Sequence, residues 1–159
     1  MRINFKVLMF VFFVSLSLIT KVQAYCFEEA GQRYSVSPLL LYAISSVESS
    51  FNVRAINVNT NGSEDRGHMQ INSFWKKYLG DSGWDSLYDP CYCTNVGAWI
   101  MADCIARYGN NWDAVACYHC GHSPADLPEE RRPEAYRYID RVQEKLNELT
   151  TERAGQGRW

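Results

Sequence analysis

Among the residues whose types suit chemistry, Glu48 stands out by its position. On a helix of about 3.6 residues per turn, Leu40, Ile44, Val47 and Phe51 share one narrow stripe, and Glu48 lies on its edge, one turn after Ile44 and next to Leu41. A carboxyl half inside an apolar face loses solvation of its charged form, which raises its pKa. A carboxylic acid that keeps its proton near neutral pH is suited to protonate a glycosidic oxygen. The alternative is an ordinary surface glutamate at a fraying helix end. The other reactive set is the cysteines: Cys26, Cys91, Cys93, Cys104, Cys117 and Cys120. An even number in an exported chain reads as disulfides, with the pairing open. Cys91-x-Cys93 and Cys117-x-x-Cys120, near His119 and His122, also allow a metal site, but their spacing is irregular for one. A thioredoxin-type redox role for Cys117 and Cys120 lacks the expected βαβ pattern.

Export is itself an expectation from the first 24 residues. Arg2 and Lys6 make a basic start, Val7 to Ile19 is apolar apart from Ser15 and Ser17, and Val22-Gln23-Ala24 places small residues at a cleavage site after Ala24. The apolar run is short of the ~20 residues that span a bilayer, so a cleaved signal peptide is expected over 1–24, with an uncleaved anchor as the alternative. The remaining chain, 25–159, suits one domain. Without Arg2, Lys6 and Lys21, 13 of the 16 basic residues remain against 18 acidic ones, a formal net charge of −5. That balance argues against a nucleic-acid partner.

The elements that must position Glu48 are mostly helical. Cys26–Tyr34 suits a short helix. Ser37-Pro38 supplies an N-cap and a proline at the first helical position for the Glu48 helix. The turn-rich stretch 57–66, with Asn61-Gly62 as a two-residue turn signal, predicts a β-hairpin. Ser73–Leu79 predicts one or two helical turns stopped by Gly80. Asp89-Pro90 opens a long helix with Val96, Trp99, Ile100 and Ile105 facing inward, and Gly109 ends it. Asn111–Cys120 predicts a helix closed by Gly121. Pro133–Leu149 predicts a last helix with Tyr138, Val142, Leu146 and Leu149 inward, and residues 150–159 a flexible tail.

Three segments in order carry a resemblance: Glu48-Ser49-Ser50-Phe51-Asn52 closing a helix, Gly67-His68-Met69-Gln70-Ile71-Asn72, and Ala116-Cys117-Tyr118-His119-Cys120-Gly121. Together they resemble the lysozyme-like lytic transglycosylases of bacteria, especially small exported members that accompany secretion systems, pili and conjugation machinery. The resemblance covers residues 25–149 and implies an α+β, mostly helical, lysozyme-like fold with a small β-hairpin beside the catalytic helix. It implies peptidoglycan glycan strands as substrate, a secretion-system or pilus component as a partner, a periplasmic or secreted monomer without membrane insertion, and no metal or cofactor.

Residue by residue, the resemblance gives Glu48 the role of general acid and then base. Gln70, Asn72, Tyr118 and His119 become substrate-side residues, with Tyr118 either orienting Glu48 or the sugar or packed as a core tyrosine. It also implies a Cys26–Cys91 disulfide, leaving Cys93, Cys104, Cys117 and Cys120 for two further bonds. The family usually has Asn where His119 stands and an apolar residue where His68 stands; His68 is expected half-exposed at the groove edge. His119 is expected to donate in place of the amide and to bring a pH dependence.

A second resemblance, to animal c-type lysozymes, runs from Glu48 to Trp75 through Glu-Ser-x-Phe-Asn, Asn-Thr-x-Gly-Ser-x-Asp and Gln-Ile-Asn-Ser-x-Trp. It places Asp65 where those enzymes carry a second carboxylate, 17 residues after the glutamate. Asp65 is then either a stabiliser of a cationic transition state or a turn residue paired with Arg66. The resemblance to the lytic transglycosylases implies cleavage of the MurNAc–GlcNAc bond with 1,6-anhydro-MurNAc formation. The alternatives are a hydrolytic muramidase using Glu48 and Asp65, and a non-catalytic glycan-binding or assembly protein.

Overall fold

A computed structural model describes residues 25–155, so the leader expected at 1–24 and residues 156–159 lie outside the described residues. The element order is α1 (Phe27–Tyr34), α2 (Pro38–Ser49), β1 (Ile56–Val58), β2 (Glu64–Arg66), β3 (Ile71–Asn72), α3 (Lys76–Asp85), α4 (Pro90–Tyr108), α5 (Trp112–Cys120) and α6 (Arg132–Gly155). The fold is mostly helical α+β, with a small antiparallel sheet in the order β1-β2-β3.

The expected caps form. Ser37 Oγ accepts from the Leu40 amide before Pro38, and Asp89 accepts from the Tyr92 amide before Pro90. Each satisfies an otherwise unpaired amide of the first turn, an effect of about 1 kcal/mol. α4 lies against α1 and α5 and also meets α2 and β3, while α2 packs on α1 and α6. The core between them includes Leu41, Ile44, Met69, Ile71, Met101, Tyr138 and Val142. Along α4, Val96 and Ile100 are buried as expected, whereas Trp99 and Ile105 are only partly covered.

The sheet departs from the simple hairpin. β1 and β2 pair with Asn57 opposite Asp65, and β3 adds a third strand with Asn72 opposite Asp65 on the other side. The connection is not a two-residue turn, because Asn59 N donates to Ser63 O at 2.8 Å and leaves Thr60, Asn61 and Gly62 as the loop. Gly62, at φ 81°, takes the left-handed position that such a three-residue loop requires. Gly80 stops the first helical stretch after Ser73 as expected, but the chain re-enters a helix and continues to Asp85.

Two further expectations are corrected. The last helix does not end at Leu149: it runs to Gly155, and the Thr150 and Thr151 hydroxyls bond back to carbonyls of Leu146 and Asn147. The expected loose tail is therefore helical as far as it is described. Of the cysteines, Cys26–Cys91 pair as implied, but only one further bond forms, Cys104–Cys117, leaving Cys93 buried and Cys120 partly exposed as thiols. Cys93 lies in the core under Gly67, with its thiol pushed up to about 12 by burial, so it is shut off from exchange.

Cys26–Cys91 closes 65 residues and Cys104–Cys117 closes 13, so loop-entropy arguments give about 4 and about 3 kcal/mol respectively. Replacing Cys26 and Cys91 together by serine is expected to lower stability by about 2–5 kcal/mol in urea titrations. Non-reducing peptide mapping should find both bonds, with alkylation in denaturant only at Cys93 and Cys120.

Candidate active site

Glu48 sits in the last turn of α2, and the chain turns sharply just after it. Ser50 and Phe51 both take left-handed backbone angles, φ 52° and 64°. The turn is held by Ser50 N to Ser46 O and by the Tyr25 hydroxyl donating to Phe51 O at 2.8 Å. Two consecutive non-glycine residues in this region are costly, and they sit just after Glu48.

Among the described residues the Glu48 carboxyl has one hydrogen-bond partner. The Tyr138 hydroxyl, from the fully buried face of α6, donates to its Oε1 at 2.7 Å. Burial pushes the Glu48 pKa up to about 7; the Tyr138 bond and the Arg141 charge oppose the shift, and the Asp65 charge adds to it. Burial and the Glu48 charge likewise raise the Tyr138 phenol well above its usual value, so it stays a donor.

Asp65 is held quite differently. Its Oδ2 accepts from Asn57 Nδ2 at 3.2 Å and Asn59 Nδ2 at 2.9 Å, and its Oδ1 from Asn72 Nδ2 at 2.6 Å. Asn57 and Asn72 reach it because both are its register partners across the sheet. Asp65 does not pair with Arg66. That guanidinium instead binds Glu64 and Asp85 and lies over the Trp84 ring at 4.7 Å, tying β2 to α3.

The Gly67–Gln70 loop passes close to the core. A Cβ on Gly67 would lie 2.5 Å from Leu87 O and 2.8 Å from Cys93 Sγ, and its φ of 72° also demands glycine. Gln70, at φ 48°, folds its side chain back so that Nε2 donates to Gly67 O at 2.9 Å. Tyr118 does not reach Glu48; its hydroxyl donates to Met69 O at 2.9 Å and fixes this loop.

His68 is not half-exposed but fully buried, filling the apolar slot its position implies. Its Nε2 faces the Pro90 carbonyl at 3.0 Å and so carries the hydrogen. Nδ1 then accepts from the Ser45 hydroxyl at 2.7 Å. Burial lowers its pKa to about 4, partly opposed by the bond to Pro90. His119 stacks flat on the Tyr138 ring, with centroids 4.3 Å apart, one ring removed from Glu48.

Beyond Asn72, which caps the next turn through Phe74 N, the rings of Phe74, Trp75, Tyr78 and Trp99 form a cluster. Phe74 and Tyr78 in that cluster are more than half exposed. Such a shelf offers apolar faces for sugar rings. Neither cysteine pair offers two thiolates to a metal, since Cys91 and Cys117 are each in a disulfide.

The structure thus gathers Glu48, Asp65 and Asn72, with Tyr118 supporting the loop that leads to Gln70. Sequence reasoning missed Tyr138, Arg141, Asn57 and Asn59. A tyrosine on the inward face of the last helix was the available signal, because a buried phenol needs a polar partner.

The mostly helical chain, with a raised carboxyl at the end of an apolar helix beside a small antiparallel sheet, has a lysozyme-like fold. The chain belongs to the transglycosylase SLT domain family, whose pattern matches residues 25–139. It is 35% identical over 133 residues to Protein IpgF of Shigella flexneri, covering 82% of this chain and 84% of that one. It is 38% identical over 149 residues to Invasion protein IagB of Salmonella typhi, covering 90% of each. To X polypeptide of Escherichia coli it is 34% identical over 110 residues, covering 67% and 65%.

The raised Glu48 pKa has a consequence for stability. Because the folded value of about 7 lies above the ordinary 4.5, the neutral carboxyl favours folding at low pH. That contribution is lost as pH rises through 7, when a buried charge must form. Glu48→Gln removes this penalty, and is expected to be more stable than the parent by about 1–3 kcal/mol at pH 8. The gain should vanish near pH 4 in paired denaturation curves.

Proposed function

We propose that the protein is a peptidoglycan lytic transglycosylase that cleaves the MurNAc-β-1,4-GlcNAc bond and leaves 1,6-anhydro-MurNAc ends. The observation that carries this reading is the Glu48 carboxyl, half-buried, raised to about 7 by desolvation and held by one phenol. In the first step its proton passes to the glycosidic oxygen as the bond from that oxygen to C1 of MurNAc breaks. The leaving GlcNAc departs as an alcohol, and C1 develops oxocarbenium character. The amide-held Asp65 carboxylate stabilises that positive charge. In the second step the Glu48 carboxylate takes the proton of the C6 hydroxyl on the same sugar while its oxygen bonds to C1. Glu48 regains its proton, and no water is consumed.

Gln70 and Asn72 line the sugar side of this site, and the aromatic shelf from Phe74 to Tyr78 supports the glycan beyond it. The protein acts in the periplasm or outside the cell, behind a cleaved leader at 1–24. Two disulfides suit an oxidising compartment, and no helix among the described residues is long and apolar enough to cross a membrane. Similarity to a protein named for invasion supports a role in opening the wall locally for a secretion or pilus apparatus.

A hydrolytic muramidase is the second reading, and the three-amide cradle of Asp65 favours it, since a fixed carboxylate suits retaining hydrolysis. Two variants test the assignment on purified sacculi. Glu48→Gln is expected to fold and to lose cleavage by at least roughly 10²–10⁴-fold, and near-normal turnover would exclude Glu48 as the acid. Asp65→Asn is expected to slow turnover by about 10-fold or more while its products still end in the anhydro sugar. Full activity would return Asp65 to a structural role in the sheet.

A further inference from the structure

We propose that His119 is a positioning residue for the general acid: it fixes the Tyr138 ring so that its hydroxyl stays on Glu48. The inference rests on the role given above to Glu48, but its first test does not need turnover. Tyr138 is fully buried and is the only hydrogen-bond partner described for the Glu48 carboxyl. The phenolic hydrogen lies in the plane of the ring, so the ring's orientation sets whether it points at Oε1. That plane is matched by His119, whose ring lies parallel within 5° at 4.3 Å.

His119 has a second neighbour on α6. Its Nε2 lies 3.6 Å from Glu134 Oε1, and Glu134 stands one turn before Tyr138 on α6. α5 therefore lays the imidazole across two residues of the same α6 face, four apart in sequence. The Arg141 guanidinium, one turn further on, lies 5.6 Å from the Tyr138 centroid. Glu134 and Arg141 on α6 and Asp65 on β2 are the charged groups that act on His119. Burial disfavours its charged form, with Glu134 acting in the opposite sense, so the ring behind Tyr138 tends to stay neutral. A neutral stacked ring holds the phenol without adding a charge that would draw the proton off Glu48.

The physical effect runs through one bond. The Tyr138 hydrogen bond favours ionised Glu48 and opposes its burial. If the ring is free to turn, that bond weakens and Glu48 holds its proton more tightly. Its carboxylate then also lacks a partner at the stage where it acts as base.

The experiment is a titration of Glu48 by NMR on carboxyl-labelled protein, assigned with Glu48→Gln, in the parent, His119→Ala and His119→Phe. His119→Ala is expected to raise the Glu48 midpoint by about 0.5 pH units or more above the parent value. His119→Phe restores the stacked ring and is expected to return the midpoint close to that of the parent. On sacculi, the alanine variant should lose roughly 5- to 10-fold in kcat with KM little changed, and phenylalanine should recover it.

Superimposable titrations of the parent and His119→Ala overturn the proposal. A fall in the midpoint also overturns it, because His119 would then be excluding water from Glu48 rather than holding Tyr138. Failure of phenylalanine to rescue either readout, in a variant that unfolds like the parent, has the same force. The titration decides the positioning role even where the assigned reaction fails.

Discussion

The structure depends on holding one carboxyl partly out of water. Glu48 is drawn into the core edge by Leu41 and Ile44 of its own helix and is closed over by Tyr138 from α6. Desolvation raises its pKa to about 7, and nothing nearby undoes this completely. The phenol offers one hydrogen bond, and Arg141 offers charge through its place near the Tyr138 ring. Stability and chemistry therefore pull apart at this residue. The fold is best satisfied by a neutral side chain, while the proposed reaction needs that side chain to give up its proton and recover it.

The rest of the fold supplies two contrasting environments within one site. Helices surround Glu48 with apolar groups, and the sheet surrounds Asp65 with amides. Two carboxyls of similar intrinsic acidity thus meet different environments, which suits them to the different roles proposed for them. Strand register does the work for Asp65, because Asn57 and Asn72 stand opposite it on its two neighbours. The loop between β2 and β3 is then locked by three independent contacts: Gly67 against Leu87 and Cys93, Tyr118 on Met69, and buried His68 between Ser45 and Pro90.

Much of this was legible in the sequence because it follows local rules. The cap-then-proline signals at Ser37 and Asp89, the glycine stops at Gly109 and Gly121, and the apolar stripe leading to Glu48 all act within a few residues. Three-dimensional partners were not legible in that way. Tyr138 lies 90 residues from Glu48, so periodicity could mark it as inward-facing but not say what it meets. His68 was expected near the surface because a histidine is commonly wet. Only its three tertiary hydrogen-bonding neighbours make full burial tolerable. An even cysteine count suggested three bonds, yet Cys93 is enclosed in the core and the count does not encode distance. α6 continues to Gly155 past its last apolar position, which a boundary drawn from the apolar stripe omits.

The central chemical claim is that the C6 hydroxyl of the muramyl sugar, and not water, captures the reacting carbon. Digestion of purified sacculi in heavy-oxygen water, followed by mass spectrometry of the released muropeptides, tests it directly. The account predicts anhydro ends with no label at the muramyl C1. Reducing ends that carry one heavy oxygen at that carbon, as the main product, would contradict it and assign the site to hydrolysis.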